Sequence, residues 1–148
     1  VLQCLVETDG DDAWARPTYR VFDLYAPHKG NEAVRTTVDT PVRTLDGGET
    51  LPLVGASAST GDDGTYVTVT NLDCRASRTV EVALAGAGPD AADVDASVLF
   101  AGQEPDLVVD ADNADEFGSE PLDVDVSPSE GLLTAELPPA TVAGISLR

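Results

Sequence analysis

Basic side chains are scarce in this sequence. Against 27 aspartates and glutamates stand 8 lysines and arginines, and Lys29 is the only lysine. A net charge of −19 leaves no basic footprint for a phosphate backbone, which argues against a nucleic-acid partner. No apolar run reaches the roughly 18 residues that a membrane-spanning helix needs, so no membrane partner is expected. The start has no basic region of the kind that opens a secretory leader, and none is read there. Cysteine is limited to Cys4 and Cys74, neither in a Cys-x-x-Cys pair. That removes a disulfide framework and a cysteine-rich zinc site. Two reduced thiols fit a cytoplasmic protein, with an extracellular place left open. Histidine occurs once, at His28, and it makes no metal site with two distant cysteines. Aromatic residues are 5% of the chain, too few for the row of rings that a carbohydrate platform uses. No Gly-x-Ser-x-Gly elbow, phosphate loop or dinucleotide glycine motif occurs. No cofactor is therefore expected, and no motif points to a catalytic residue or a metal ligand.

What is present is a foldable chain under heavy negative charge. Its 148 residues are 42% hydrophobic, enough for one domain with a core. The acids are spread along the sequence rather than gathered in a tail. Such a surface repels itself at low ionic strength. In molar salt the screening length falls to about 3 Å and the repulsion fades. Spread acids, scarce lysine and many Ala, Gly, Val and Thr residues point to a protein adapted to high salt, as in a halophile.

The first 28 residues differ from the rest. Val1–Val6 reads as a short strand, followed by a polar turn over Glu7–Asp12 and then Trp14, the only tryptophan. Arg16-Pro17-Thr18 reads as a helix start, since proline is tolerated in a first turn. Tyr19, Phe22 and Tyr25, with Val21 and Leu24, lay an apolar stripe along that helix. Pro27 and Gly30 end it. At about two and a half turns it is too short to stand alone, so its stripe needs either the following domain or something upstream. From Ala33 the period changes to two. Strands are expected over Val34–Thr40, Leu53–Ser59, Tyr66–Leu72, Arg78–Leu84 and Val94–Ala101. Leu122–Val126 is expected as a weak edge. Leu133–Leu137 and Thr141–Leu147 read as a hairpin around Pro138-Pro139. Turns fall at Asp46-Gly47-Gly48, at Gly61–Gly64 with its Asp-Gly signal, and at Gly86–Asp90. Short strands at this spacing mean a β-sandwich or barrel. Strand, loop and helix ahead of a β domain look like the last unit of an α/β fold.

Few residues bear on chemistry. His28 stands at a helix end, where a positive imidazole would suit the dipole. Paired carboxylates for glycoside chemistry need two acids about 5–10 Å apart, a condition that any two of so many acids could meet. The acidic loop Asp110–Pro121 fails as an EF-hand, because Ala114 and Asp115 fall where a ligand and a glycine belong. A looser cation site there and a salt-adapted surface loop both stay open. Trp14 is either packed or part of a ligand-facing loop.

The stretch VLQCLVETDGDDAWARPTYRVFDLYAPHKGN resembles the end of the catalytic barrel in α-L-arabinofuranosidases of glycoside hydrolase family 51. The likeness includes that family's PTY-x-VF-x-x-Y helix, here Pro17–Tyr25. Leu53–Ser59 (LVGASAS) is similar to an "ASAS" strand of the family, and Val67–Asp73 (VTVTNLD) to its "VNLD" strand end. Asn113–Pro121 loosely resembles an N-x-F…P loop, stretched by Asp115 and Glu116. Leu137–Val142 resembles a closing LPP-x-S-V segment, with Thr141 where serine is usual. The resemblance covers nearly the whole chain. It implies an all-β, jelly-roll-like β-sandwich over residues 33–148. It implies that residues 1–32 are the last strand, loop and helix of a TIM barrel. The family removes terminal arabinofuranosyl groups with retention, using two glutamates on barrel strands that precede Val1. No catalytic residue carries over. Trp14 is the one candidate substrate contact, because the loop after the last barrel strand opens on the active-site face.

The expected role is a C-terminal non-catalytic domain that braces the barrel and is inactive alone. Its partners are then the catalytic barrel of the same enzyme, further copies in a homo-oligomer, and arabinose-containing saccharide only through the barrel. The alternatives are a carbohydrate-binding module and a protein-interaction sandwich.

Overall fold

The structure, a computed structural model, describes residues 4–85, 93–103 and 108–148. The expected turn at Gly86–Asp90 and the first three residues of the expected opening strand lie outside these. Where a polar turn was expected, the chain opens with a hairpin. Its strands are β1 (Val6–Asp9) and β2 (Asp12–Ala15), joined at Gly10, whose φ of 61° suits a tight turn. Helix α1 follows over Pro17–Tyr25, with a 3-10 turn at Ala26–His28. Proline at its first position is preset for the helix, and Asn31 Nδ2 donates to the Pro27 carbonyl just past its end.

The rest is two packed sheets. The large one has six antiparallel strands: β3 (Glu32–Val34), β6 (Val54–Gly61), β7 (Gly64–Asn71), β9 (Val94–Leu99), β10 (Ser119–Pro121) and β13 (Val142–Leu147), in the order β10-β9-β13-β7-β6-β3. The small one is β11 (Val124–Ser127), β12 (Leu132–Leu137) and β8 (Arg78–Ala83), in the order β11-β12-β8. A separate hairpin joins β4 (Val42–Thr44) to β5 (Thr50–Pro52) around Asp46-Gly47-Gly48. The core lies between the sheets: Val54, Val67, Val69, Val98, Ala143, Ile145 and Leu147 meet Leu133 and Leu137. Alternation explains this, since every second side chain of a strand shares a face. The small sheet covers only part of the large one. Beside β8 the sandwich opens into a cleft of about 1170 Å³ between β6, β7 and the extended segment Val34–Pro41. Val80, Val82 and Leu84 face the core but sit only half-buried.

Several expected elements change. Of the strand expected over Val34–Thr40 only Val34 is paired, as the last residue of β3 on β6, and the rest is extended without a ladder partner. The acidic loop contains a 3-10 turn, Ala114–Phe117, and the edge strand β10. Strands β12 and β13 do not pair with each other. Each joins a different sheet, so Pro138-Pro139 marks a crossing between sheets rather than a hairpin tip. The β6–β7 hairpin forms with Gly61 opposite Gly64. Gly64 has φ of 127°, and the Leu147 carbonyl fills the space a β-carbon would take.

Two sheet crossings, β7 to β8 and β12 to β13, are bolted together by Asn71 and Asp73. Asn71 Nδ2 reaches the carbonyls of Ala76, Leu137 and Pro138 at 2.8–3.1 Å, and Asn71 Oδ1 accepts from Asp73 N. Asp73, 2% exposed, accepts from the Arg78 and Arg43 guanidinium groups and from Arg75 N. Those three donors, Arg78 foremost, hold its carboxyl well below the usual aspartate range. A depressed carboxyl stabilises the fold above its unfolded value of about 3.9 and loses that effect as pH falls below it.

Replacing Asn71 by alanine removes a donor from the carbonyls of Ala76, Leu137 and Pro138, of which Pro138 keeps its bond from Thr141 Oγ1. We expect Asn71→Ala to lower stability by about 1–3 kcal/mol, read as a lower denaturant midpoint with unchanged slope. Wild-type stability would show that the crossings do not depend on this amide.

Candidate functional site

Three places hold the residues that could carry function: the seam under α1, the Trp14 cluster and the acidic loop. At the seam, Leu24 rests on Gly144 of β13. A β-carbon at Gly144 would come within 2.9 Å of Leu24 Cδ1, so glycine permits this close approach. His28 lies at the end of the same contact. Its Nδ1 is 2.7 Å from Ser59 Oγ on β6, and the rings of Tyr25 and Tyr66 flank it. A hollow of about 230 Å³ beside it is lined by Arg20, Asp23, Thr68, Asp95, Ser97 and Ser146, among others.

A histidine this close to a serine hydroxyl has the form of a base and a nucleophile, a pairing no motif in the sequence announced. Two features argue against that chemistry. Ser59 is only 4% exposed, so no substrate oxygen or carbon can reach it. His28 Nε2 is buried without a partner among the described residues, so no acid orients the ring. The pair ties α1 to the sheet. Burial lowers the His28 pKa, so the imidazole is neutral near pH 7, not the positive group expected at the helix end. In the folded state a depressed histidine resists protonation, so its stabilising effect is full above the unfolded value and lost below it.

Trp14 is half-buried on β2, opposite Glu7. It packs with Phe100 against Val109, Ala114 and Phe117, a small second core beneath the acidic loop. Its indole nitrogen is buried with no partner among the described residues. One of the loop's acids, Asp110, is used locally. Asp110 accepts from Asp112 N at 3.0 Å, and Asn113 closes the turn onto Asp110 N and the Val108 carbonyl. Among the described residues, no three or more acidic, histidine or cysteine side chains converge on a possible metal position.

His28 is the only side chain here whose ordinary value lies near pH 6.5. Between pH 7.5 and 5, we expect the stability gap between wild type and His28→Gln to shift against the wild type as pH falls through about 6.5. Thermal melts of both proteins read this. A gap constant with pH would show that His28 is not held neutral.

The comparisons agree with this architecture. The pattern of the α-L-arabinofuranosidase C-terminal domain matches residues 1–141. No curated protein matches the chain at a significant level. A family 51 arabinofuranosidase structure from Xanthomonas axonopodis pv. citri superposes with a TM-score of 0.88 at 29% identity, covering 100% of this chain and 29% of that one. A family 51 α-L-arabinofuranosidase from Bifidobacterium longum gives 0.77 at 19% identity, over 92% of this chain and 26% of that one. One from Thermotoga petrophila gives 0.77 at 17%, over 97% and 31%. At those two lower identities the likeness concerns the fold. The chain spans under a third of the length of each of these proteins. By sequence pattern along nearly its whole length, the chain belongs to the family of α-L-arabinofuranosidase C-terminal domains.

Proposed function

We propose that this chain is the non-catalytic C-terminal part of an enzyme that removes terminal α-L-arabinofuranosyl groups from arabinose-containing saccharides, and that it braces the catalytic barrel. The observation that carries this reading is α1. None of its residues is buried, Phe22 is 63% exposed and Tyr19 is 38% exposed. A short helix with an uncovered aromatic face is only half packed. The sandwich takes Leu24 and leaves the rings for an upstream neighbour, which fits a last barrel helix in residues 1–32. The reaction belongs to residues outside this chain: its one serine–histidine pair is closed to substrate. The parent acts in the cytoplasm and assembles as a homo-oligomer, readings that rest on the cysteine content and on the family likeness.

The test compares this chain with the full-length enzyme on 4-nitrophenyl α-L-arabinofuranoside at high salt. We expect hydrolysis by the full-length enzyme alone. Turnover by the chain itself would move the chemistry into the sandwich. The competing reading as a binding module predicts retardation of the chain in an arabinan or arabinoxylan affinity gel, where we expect none.

We further propose adaptation to high salt. The described residues hold three ion pairs, Arg16–Glu7, Arg43–Asp73 and Arg78–Asp73, which engage two acids, Glu7 and Asp73. The other acids among the described residues have no ion-pair partner there. The melting temperature should rise from low salt to molar KCl as screening grows. A flat or falling trend would remove the proposal.

A further inference from the structure

The segment ahead of the sandwich touches it at a second place besides α1, the small core under the acidic loop. That loop is built as a platform. Asn113 closes it on Asp110 and Val108, Gln103 Nε2 donates to the Glu116 carbonyl, and β10 ties its far end to β9. Its inward side chains, Val109, Ala114 and Phe117, stand apart from the main core and meet Phe100 and Trp14 instead. Phe100 holds φ of 70°, a conformation an aromatic residue rarely keeps unless its surroundings enforce it. Trp14 arrives from the other side, on β2. The base of its hairpin is closed by Arg16 N donating to the Leu5 carbonyl and by the Arg16–Glu7 pair at 2.7 Å.

The hairpin runs directly into α1. In a (β/α)8 barrel, the segment between a strand and its following helix lies on the face that carries the active site. We infer that Trp14 is a positioning residue for the arabinofuranoside site: it docks the last strand-to-helix loop of the catalytic barrel on Phe117 and Phe100, so that the sandwich sets the loop's place at the active-site mouth. This rests on the accessory role proposed above. It makes the brace specific, because the sandwich then acts on substrate binding through one aromatic contact. Phe117 is the informative partner, since it belongs to the sandwich and lies in the cluster against which Trp14 packs.

The test is steady-state kinetics of the full-length enzyme and four variants, Trp14→Ala, Trp14→Phe, Phe117→Ala and Phe117→Leu, on 4-nitrophenyl α-L-arabinofuranoside. KM does not depend on how much enzyme is folded, so a merely destabilising change lowers apparent kcat alone. We expect kcat/KM to fall roughly tenfold in Trp14→Ala and in Phe117→Ala, carried by KM, as a displaced positioning loop would do. Trp14→Phe and Phe117→Leu should recover most of it, and the double alanine variant should be no worse than either single one. A KM rise in Trp14→Ala but not in Phe117→Ala would make Trp14 a direct sugar contact and overturn the coupling. Unchanged KM in all variants would overturn it too. A wild-type enzyme without activity on the arabinofuranoside would instead remove the proposed function beneath it.

Discussion

Where the chain leaves one sheet for the other it must turn sharply, and the carbonyls of the turning segments lose their ladder partners. Two of these crossings, β7 to β8 and β12 to β13, meet at Asn71-Leu72-Asp73. The Asn71 amide gathers carbonyls from the β7–β8 and β12–β13 connections, with its two N–H bonds shared among three acceptors. Ala140 N donates to the Asp73 carbonyl, and Asn71 N to that of Thr141. Asp73 then recruits Arg43 from the β4–β5 hairpin. The relation of the two sheets, and hence the core between them, depends on this polar knot. Its charge is affordable because two guanidinium groups and a backbone N–H surround one carboxylate.

The same knot shows how a strongly acidic chain uses its few cations. Three of its arginines form the ion pairs of the described structure. Two of those converge on one buried aspartate, where the low dielectric strengthens the attraction. The exposed acids are left to solvent and counter-ions.

Residues 4–31 join the sandwich through small contacts of different kinds. Leu24 uses the bare backbone of Gly144, His28 uses the Ser59 hydroxyl, and Trp14 uses an apolar patch beneath the acidic loop. The outer face of the large sheet is rich in Ser, Thr and Gly, and Thr68 there is buried although it alternates away from the core. That face is a docking surface for a helix. Its small side chains let backbone approach backbone, while hydroxyls satisfy one another, as Ser57 and Thr68 do at 2.7 Å.

Much of the β-sandwich was legible in the residues. Period-two runs located β6, β7, β8, β9, β12 and β13, and Asp63-Gly64 located the β6–β7 turn, because both signals act between neighbours in the chain. The opening hairpin, the separate sheets of β12 and β13, the pairing of His28 with Ser59 and the seat of Trp14 on Phe117 were not legible. The last two contacts join residues 31 and about 100 positions apart, and the sheets of β12 and β13 depend on which strand a neighbour chooses; the opening hairpin is local, Val6 opposite Ala15, and its residues carry turn signals that hide short strands. Local propensity is indifferent between a Pro-Pro turn that closes a hairpin and one that crosses to another sheet. Tertiary structure decided that question: in the crossed arrangement the Asn71 amide meets the carbonyls of Ala76, Leu137 and Pro138, residues that lie up to 67 positions away.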